Sequence, residues 1–163
     1  MTGYDVRPAT RRDAETLSAL WYRITEECKT WDPRIRLSLN AQDLWQKALH
    51  TWLENPEVQV LVADQAGTLI GYAIGWLLER PMFYYQQRYG FISELNVDGH
   101  AHIGGVGSAL LAGLADWFSR QQIETVEISV MHGHPIAQAF WRAKGAMPYM
   151  DHLWLRLPPR GVE

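Results

Sequence analysis

The stretch FISELNVDGHAHIGGVGSALL, residues 91–111, decides how this chain is read. It starts with alternating apolar side chains, as a strand does, and places Glu94 on the face shared by Ile92 and Asn96. It passes through a turn rich in His and Gly. It leaves as an amphipathic helix in which Val106, Leu110, Leu111, Leu114 and Trp117 or Phe118 hold one stripe. The first N–H groups of a helix have no intrahelical acceptor, and the helix dipole favours negative charge beside them. Strand, glycine turn and helix in succession therefore predict an anion site, with Gly105 and Gly107 allowing close backbone approach. Two nucleotide loops do not fit. A P-loop needs Gly-Lys-Ser/Thr, and the chain has Gly107, Ser108 and Ala109. A Rossmann fingerprint needs a small residue three positions after Gly107, where Leu110 stands.

Outward from this stretch the elements alternate. Residues 4–8 read as a short first strand. Thr10 with Asp13 resembles a capping box ahead of a helix carrying Leu17, Leu20, Trp21 and Ile24. Trp31, Asp32 and Pro33 break that helix. Asn40 with Asp43 opens a second one, with Leu44, Trp45, Ala48, Leu49 and Trp52 on one face. Val58, Val60 and Val62 mark a strand, Ala66-Gly67 a turn, and Ile70, Tyr72, Ile74, Trp76 and Leu78 one face of a long returning strand. Gly71, Ala73 and Gly75 on its other face predict close approach by a neighbouring element. Residues 80–90 form an aromatic loop. After the glycine turn and its helix, residues 125–131 read as a strand, 135–144 as a short helix opened by Pro135, and 147–157 as a final hairpin or extended pair. Residues 158–163 read as a frayed tail. This order predicts an α+β or mixed α/β layer fold, a mostly antiparallel sheet between helices, in one domain over residues 1–163.

Composition narrows the classes. The 163 residues are 47% hydrophobic and 20% charged, which is globular, and a net charge of −3 without charge blocks argues against nucleic-acid or anionic-membrane binding. The single cysteine, Cys28, excludes an internal disulfide and cysteine-rich zinc modules, and fits a cytoplasmic setting. No apolar leader and no run near the ~20 residues of a membrane helix is visible.

Two motifs resemble the GNAT acetyltransferase superfamily. Its phosphate loop follows Gln/Arg-x-x-Gly-x-Gly/Ala between a strand and a helix; here Gly105 and Gly107 match, and His102 stands at the first position. Downstream, HPIAQAFWRAKG (residues 134–145) is similar to the family segment Asn-x-x-Ala-x-x-Leu-Tyr-x-x-x-Gly. The resemblance covers nearly the whole chain. It implies a central sheet splayed between strands 4 and 5, flanked by about four helices. It also implies acetyl-CoA as cofactor, held by Leu95, Asn96, Val97, His102, Ile103, Gly104, Gly105, Val106, Gly107, Ser108, His134, Ala137 and Trp141. A homodimer is implied by family habit alone. Many relatives carry Tyr as the thiolate-protonating acid where this chain has Trp141, whose indole N–H cannot supply that proton.

The remaining candidates each carry two readings. Glu94, an acidic residue inside an apolar strand, is either a salt-bridged strand residue or, as the resemblance implies, the general base that takes a proton from an acceptor ammonium. Trp31, Asp32, Phe83 and Tyr84 stand where the family builds its acceptor site. The aromatics either cage an amine by cation–π contact, with Asp32 supplying charge, or pack in the core or a dimer contact. His100 with His102 and His132 with His134 form two His-x-His pairs, read as loop histidines beside a phosphate site rather than as a metal centre. The expected activity is acetyl transfer to a primary amine, of a small molecule or a protein. The alternative is a non-catalytic acyl-CoA-binding or sensing module of the same fold.

Overall fold

The computed structural model describes residues 3–101 and 103–157. Its elements are β1 (Asp5–Pro8), α1 (Ala14–Glu27), α2 (Ala41–Glu54), β2 (Val58–Gln65), β3 (Thr68–Glu79), β4 (Arg88–Val97), α3 (Val106–Arg120), β5 (Val126–Ile128) and α4 (Pro135–Ala143). Single 3-10 turns precede and follow α1. The five strands form one sheet in sequence order, antiparallel through β1 to β4, with β5 parallel to β4. Ala66 and Gly67 both take positive φ (50° and 90°), the requirement of a type I′ turn, and close the β2–β3 hairpin.

Two bulges depart from simple alternation. Between β2 and β3 the register slips at Ile70, so Ile70 and Gly71 both face α3. Between β3 and β4 it slips at Ser93: Ile74 faces Glu94, yet Gly75 faces Ile92. The extra residue separates Ile92, packed on the α3 side, from Glu94, which turns to the α1–α2 side with Asn96. The expectation that Ile92 and Glu94 share a face is thereby corrected.

The Ser93 bulge also marks where the sheet opens. β5 pairs with β4 only at Gly90↔Val126, Phe91↔Glu127 and Ile92↔Ile128. Beyond Ile92, β4 runs on to Val97 without a partner on that edge among the described residues. This is the splay between strands 4 and 5, and it leaves β5 shorter than residues 125–131. Residues 147–157 hold no strand; Met147, Leu153 and Leu155 are exposed, so the expected closing hairpin is absent from the described residues.

The sheet separates two cores. One side holds Leu17, Leu20, Trp45, Leu49, Tyr72 and Ile74 under α1 and α2. The other holds Ala73, Leu77, Ile92, Leu110, Leu114 and Trp141 under α3 and α4. The predicted close approach is real: a Cβ on Gly71 would lie 2.9 Å from the Asn96 carbonyl oxygen, and one on Gly75 would lie 3.0 Å from the Phe118 ring.

A polar clamp joins the start of α1 to the sheet edge. Asp13 accepts from the Thr10 backbone N–H at 2.7 Å, the capping-box contact, and from Arg7 at 2.7 Å, while Arg7 also holds Asp64 at 2.9 Å. The Asn40 side chain, by contrast, makes no capping bond to α2. Hydrogen bonding to Arg7 lowers the Asp13 carboxyl to about 2, against the desolvation of burial. A depressed carboxylate stabilises the fold fully above its unfolded value near ~4 and loses that contribution as pH falls toward its folded value. Asp13→Asn is expected to cost about 1–2 kcal/mol at pH 7, discounted because the Arg7 side chain is one-third exposed. Urea denaturation at pH 7 and pH 3 checks this, since the gap between variant and wild type must narrow at the lower pH.

Candidate active site

The N-terminus of α3 lies against the β4 edge beyond Ile92, with Gly107 beside Leu95. Gly105, the residue before α3, has φ +86° and offers no side-chain cap to the helix's first N–H groups. A side chain there would be strained by this left-handed backbone, and its Cβ would lie 3.4 Å from the Tyr4 hydroxyl. Gly107 sits between Leu95 and Phe140, where a Cβ would be 3.5 Å and 3.3 Å from their side chains. Here the glycine permits α3, β4 and α4 to pack together. Gly104 meets nothing within 4 Å. Val106 is buried in the α3 core, and Leu95, Val97 and Ile103 pack against its rim. Ser108 lies in the first turn of α3. His102 lies outside the described residues.

α4 forms the facing wall. His134 caps it, its Nδ1 accepting from the Ala137 N–H at 3.3 Å, and Pro135 occupies the first turn. Trp141 is buried against Phe140 with ring centroids 5.0 Å apart. Trp31, from the loop after α1, stacks on His134 at 5.1 Å and 27°. A Cβ on Gly133 would come within 2.8 Å of the Trp31 carbonyl oxygen. The α1–α2 loop therefore touches the cap of α4 across the splay. Asp32 sits beside Trp31 but is held by Arg34 at 2.5 Å, which keeps its carboxyl at about 2.

Glu94 is half-buried at the bulge. Its Oε2 accepts from the Tyr72 hydroxyl at 2.5 Å, and the Tyr72 oxygen accepts in turn from Asn96 Nδ2 at 2.8 Å. Burial raises the Glu94 carboxyl above the ordinary glutamate range, and the Tyr72 hydroxyl and nearby Trp45 indole pull it partly back. Trp45 Nε1 is buried and lies near this carboxylate, though short of hydrogen-bond geometry with any described residue. Burial, then the Glu94 charge, holds the Tyr72 phenol well above its usual value, so Tyr72 remains a donor. Arg23 pairs with Asp98 at 2.6 Å and ties α1 to the end of β4, lowering the Asp98 carboxyl well below the aspartate range.

The structure brings Glu94, residues 95–97, the α3 N-terminus, His134 and Trp31 to the splay. It does not bring Phe83 and Tyr84 there. Both are exposed, with rings 5.1 Å apart, in the loop beyond the Glu79↔Arg88 pair. Arg88 precedes Glu94 by six residues, roughly 20 Å of strand. That loop is tied instead to β5, because Arg80 pairs with Glu127 and lies 4.2 Å from the Tyr89 ring. Among the described residues no three His, Cys, Asp or Glu side chains converge as a metal site would require. The residues the sequence reading missed are Tyr72 and Trp45. One signal was present: a phenol within the apolar run of residues 69–78 needs a buried partner, and Glu94 is the carboxylate inside a strand.

Comparison with known proteins agrees with this architecture. No curated protein matches the sequence. The tetramutant of the BH1408 protein from Bacillus halodurans is 22% identical, with a TM-score of 0.82 over 94% of this chain and 99% of that one. A predicted acetyltransferase with acetyl-CoA from Clostridium acetobutylicum is 15% identical, with a TM-score of 0.75 over 94% and 96%. The aminoglycoside acetyltransferase meta-AAC0020, from an uncultured soil metagenomic sample and in complex with sisomicin, is 18% identical, with a TM-score of 0.70 over 95% and 97%. These structures share the fold. A sequence profile described as the acetyltransferase (GNAT) family matches residues 19–146. With a profile running from within α1 to beyond α4 and a sheet that splays at Ser93, the chain belongs to the acetyltransferase (GNAT) family.

Proposed function

We propose that this protein is an N-acetyltransferase that moves acetyl from acetyl-CoA to the primary amine of a small cationic acceptor. The observation that carries the reading is one half-buried carboxylate, Glu94, at the point where β4 loses its partner. The uncapped α3 N-terminus behind Gly105 fits a pyrophosphate, and the free edge at residues 95–97 fits an extended amide-bearing arm that bonds like an added strand. Those residues would hold acetyl-CoA, which would supply an activated thioester as acetyl donor, with the thiolate as leaving group.

The chain's own contribution is positioning and one proton. An ammonium must lose a proton before its nitrogen is a nucleophile, and Glu94 takes it, directly or through water. A carboxyl raised by burial is better matched to that task than an exposed one. Those backbone N–H groups among residues 95–97 that point away from β3 would polarise the thioester carbonyl. Trp31, stacked on His134, borders the acceptor side. The similarity to an aminoglycoside acetyltransferase complexed with sisomicin supports a small polycationic acceptor.

Buried Trp141 favours a second reading, an acyl-CoA-binding module without turnover, because no phenol stands there to protonate a leaving thiolate. A thiol pKa near ~8.5 makes the thiolate a tolerable leaving group without that acid. Two measurements decide. Calorimetric titration with acetyl-CoA and CoA should show binding at tens of micromolar or below; its absence would sink both readings. Thiol release across an amine panel should then be steady, and binding without release would leave only the module.

A further inference from the structure

Glu94 is one end of a directed chain of hydrogen bonds. A tyrosine hydroxyl has one proton to give and lone pairs to receive. Asn96 Nδ2 donates to the Tyr72 oxygen at 2.8 Å, which leaves the single phenolic proton for Glu94 Oε2 at 2.5 Å. The Tyr72 ring is fully buried and set edge-on to Trp45 at 6.1 Å and 72°, so the hydroxyl cannot be turned elsewhere without repacking the α1–α2 core. Donation from Asn96 polarises the phenol and strengthens its bond to the carboxylate. Neither side chain reaches the α3–α4 face on which the anion loop is built.

We infer that Tyr72, backed by Asn96, is a positioning residue that fixes the Glu94 carboxylate and sustains its ionised, proton-accepting form. This rests on the reading of Glu94 as the base. The groups facing Glu94 are few. β3 presents Tyr72, β4 presents Asn96, and α2 presents the neutral Trp45 indole. The turn after α1 presents Cys28, whose thiol is pushed up by burial and by Glu27 and Glu94. Among the described residues no Lys, Arg or His forms an ion pair with Glu94. Among the described residues Tyr72 is the principal group opposing its desolvation, ahead of the Trp45 indole.

The test is a titration of the Glu94 carboxyl by 13C NMR in the full chain, beside the pH profile of kcat/KM with acetyl-CoA and sisomicin. Tyr72→Phe keeps the ring and removes only the hydroxyl. It should raise the Glu94 midpoint by about one pH unit, a tenfold gain in proton affinity, and carry the ascending limb of the profile with it. Asn96→Ala should move both in the same direction by less, and it serves alone if Tyr72→Phe does not fold. A folded Tyr72→Phe with an unmoved midpoint, or with a rate lowered equally at every pH, overturns the inference. A shifted midpoint in a protein that acetylates no amine upholds the wiring and overturns the enzyme reading on which its catalytic meaning depends.

Discussion

Glu94→Gln is expected to lower kcat/KM for amine acetylation by about 10²–10³-fold, the usual contribution of one positioned proton acceptor. Glutamine keeps the shape and can still accept from the Tyr72 hydroxyl, but it cannot take a proton. The loss should therefore fall mainly on kcat, with acetyl-CoA affinity unchanged, because the cofactor site proposed here uses backbone groups of residues 95–97 and of α3. The remaining rate should follow the fraction of acceptor already deprotonated, so its profile should track the amine's own pKa. Steady-state kinetics from pH 6 to 9.5 checks both points, and a rate within twofold of wild type would remove Glu94 from the mechanism.

The same substitution should act oppositely on stability. Glu94 is raised in the folded state, so the native protein holds its proton more tightly than the unfolded chain does. Stability then declines as pH rises from the ordinary glutamate value through the folded one. Glutamine removes that decline, and the variant should melt higher than wild type at pH 8 while being nearly dead as a catalyst.

Much of this could be read from the chain beforehand, for identifiable reasons. The glycine turn between β4 and α3 was legible because two glycines, a preceding apolar strand and a following amphipathic stripe are local features. The α4 wall was legible because Pro135 and Gly145 bracket it. The orientation of Glu94 was not. Alternation assigns faces by counting residues, and a bulge adds one to the count without a residue type that announces it. Ser93 is such a residue: it accepts from Trp76 Nε1 at 2.8 Å and looks ordinary in sequence. Ile70 does the same in β3. The remote position of Phe83 and Tyr84 was likewise hidden, since it follows from hairpin register and from the Arg80–Glu127 tie across β5.

Gly71→Val should be among the most damaging substitutions on the α3 side of the sheet. Its first carbon alone would lie 2.9 Å from the Asn96 carbonyl oxygen, 3.2 Å from Val106 and 3.3 Å from Leu110. The backbone oxygen cannot swing aside, and both apolar neighbours are fully buried, so α3 must move outward. Overpacking of this kind costs about 3 kcal/mol. For a chain of this size that is a melting-temperature drop of roughly 6–12 °C. On the reading proposed here, CoA binding in calorimetry should also weaken by about tenfold or more, because Val106 is the first residue of α3. A variant that melts like wild type would show that the sheet–helix gap is slack rather than filled.

The two cores on either side of the sheet have no side chain in common. Substitutions in groups that do not touch tend to be additive. On the reading proposed here, the α1–α2 layer carries the base with its hydrogen-bond chain and borders the acceptor, while the α3–α4 layer carries the donor site. Acceptor preference can then diverge through changes in one layer without disturbing the other. The Trp31–His134 stack, where the layers meet, is where that independence should fail, and paired substitutions there should show epistasis that equally conservative pairs elsewhere lack.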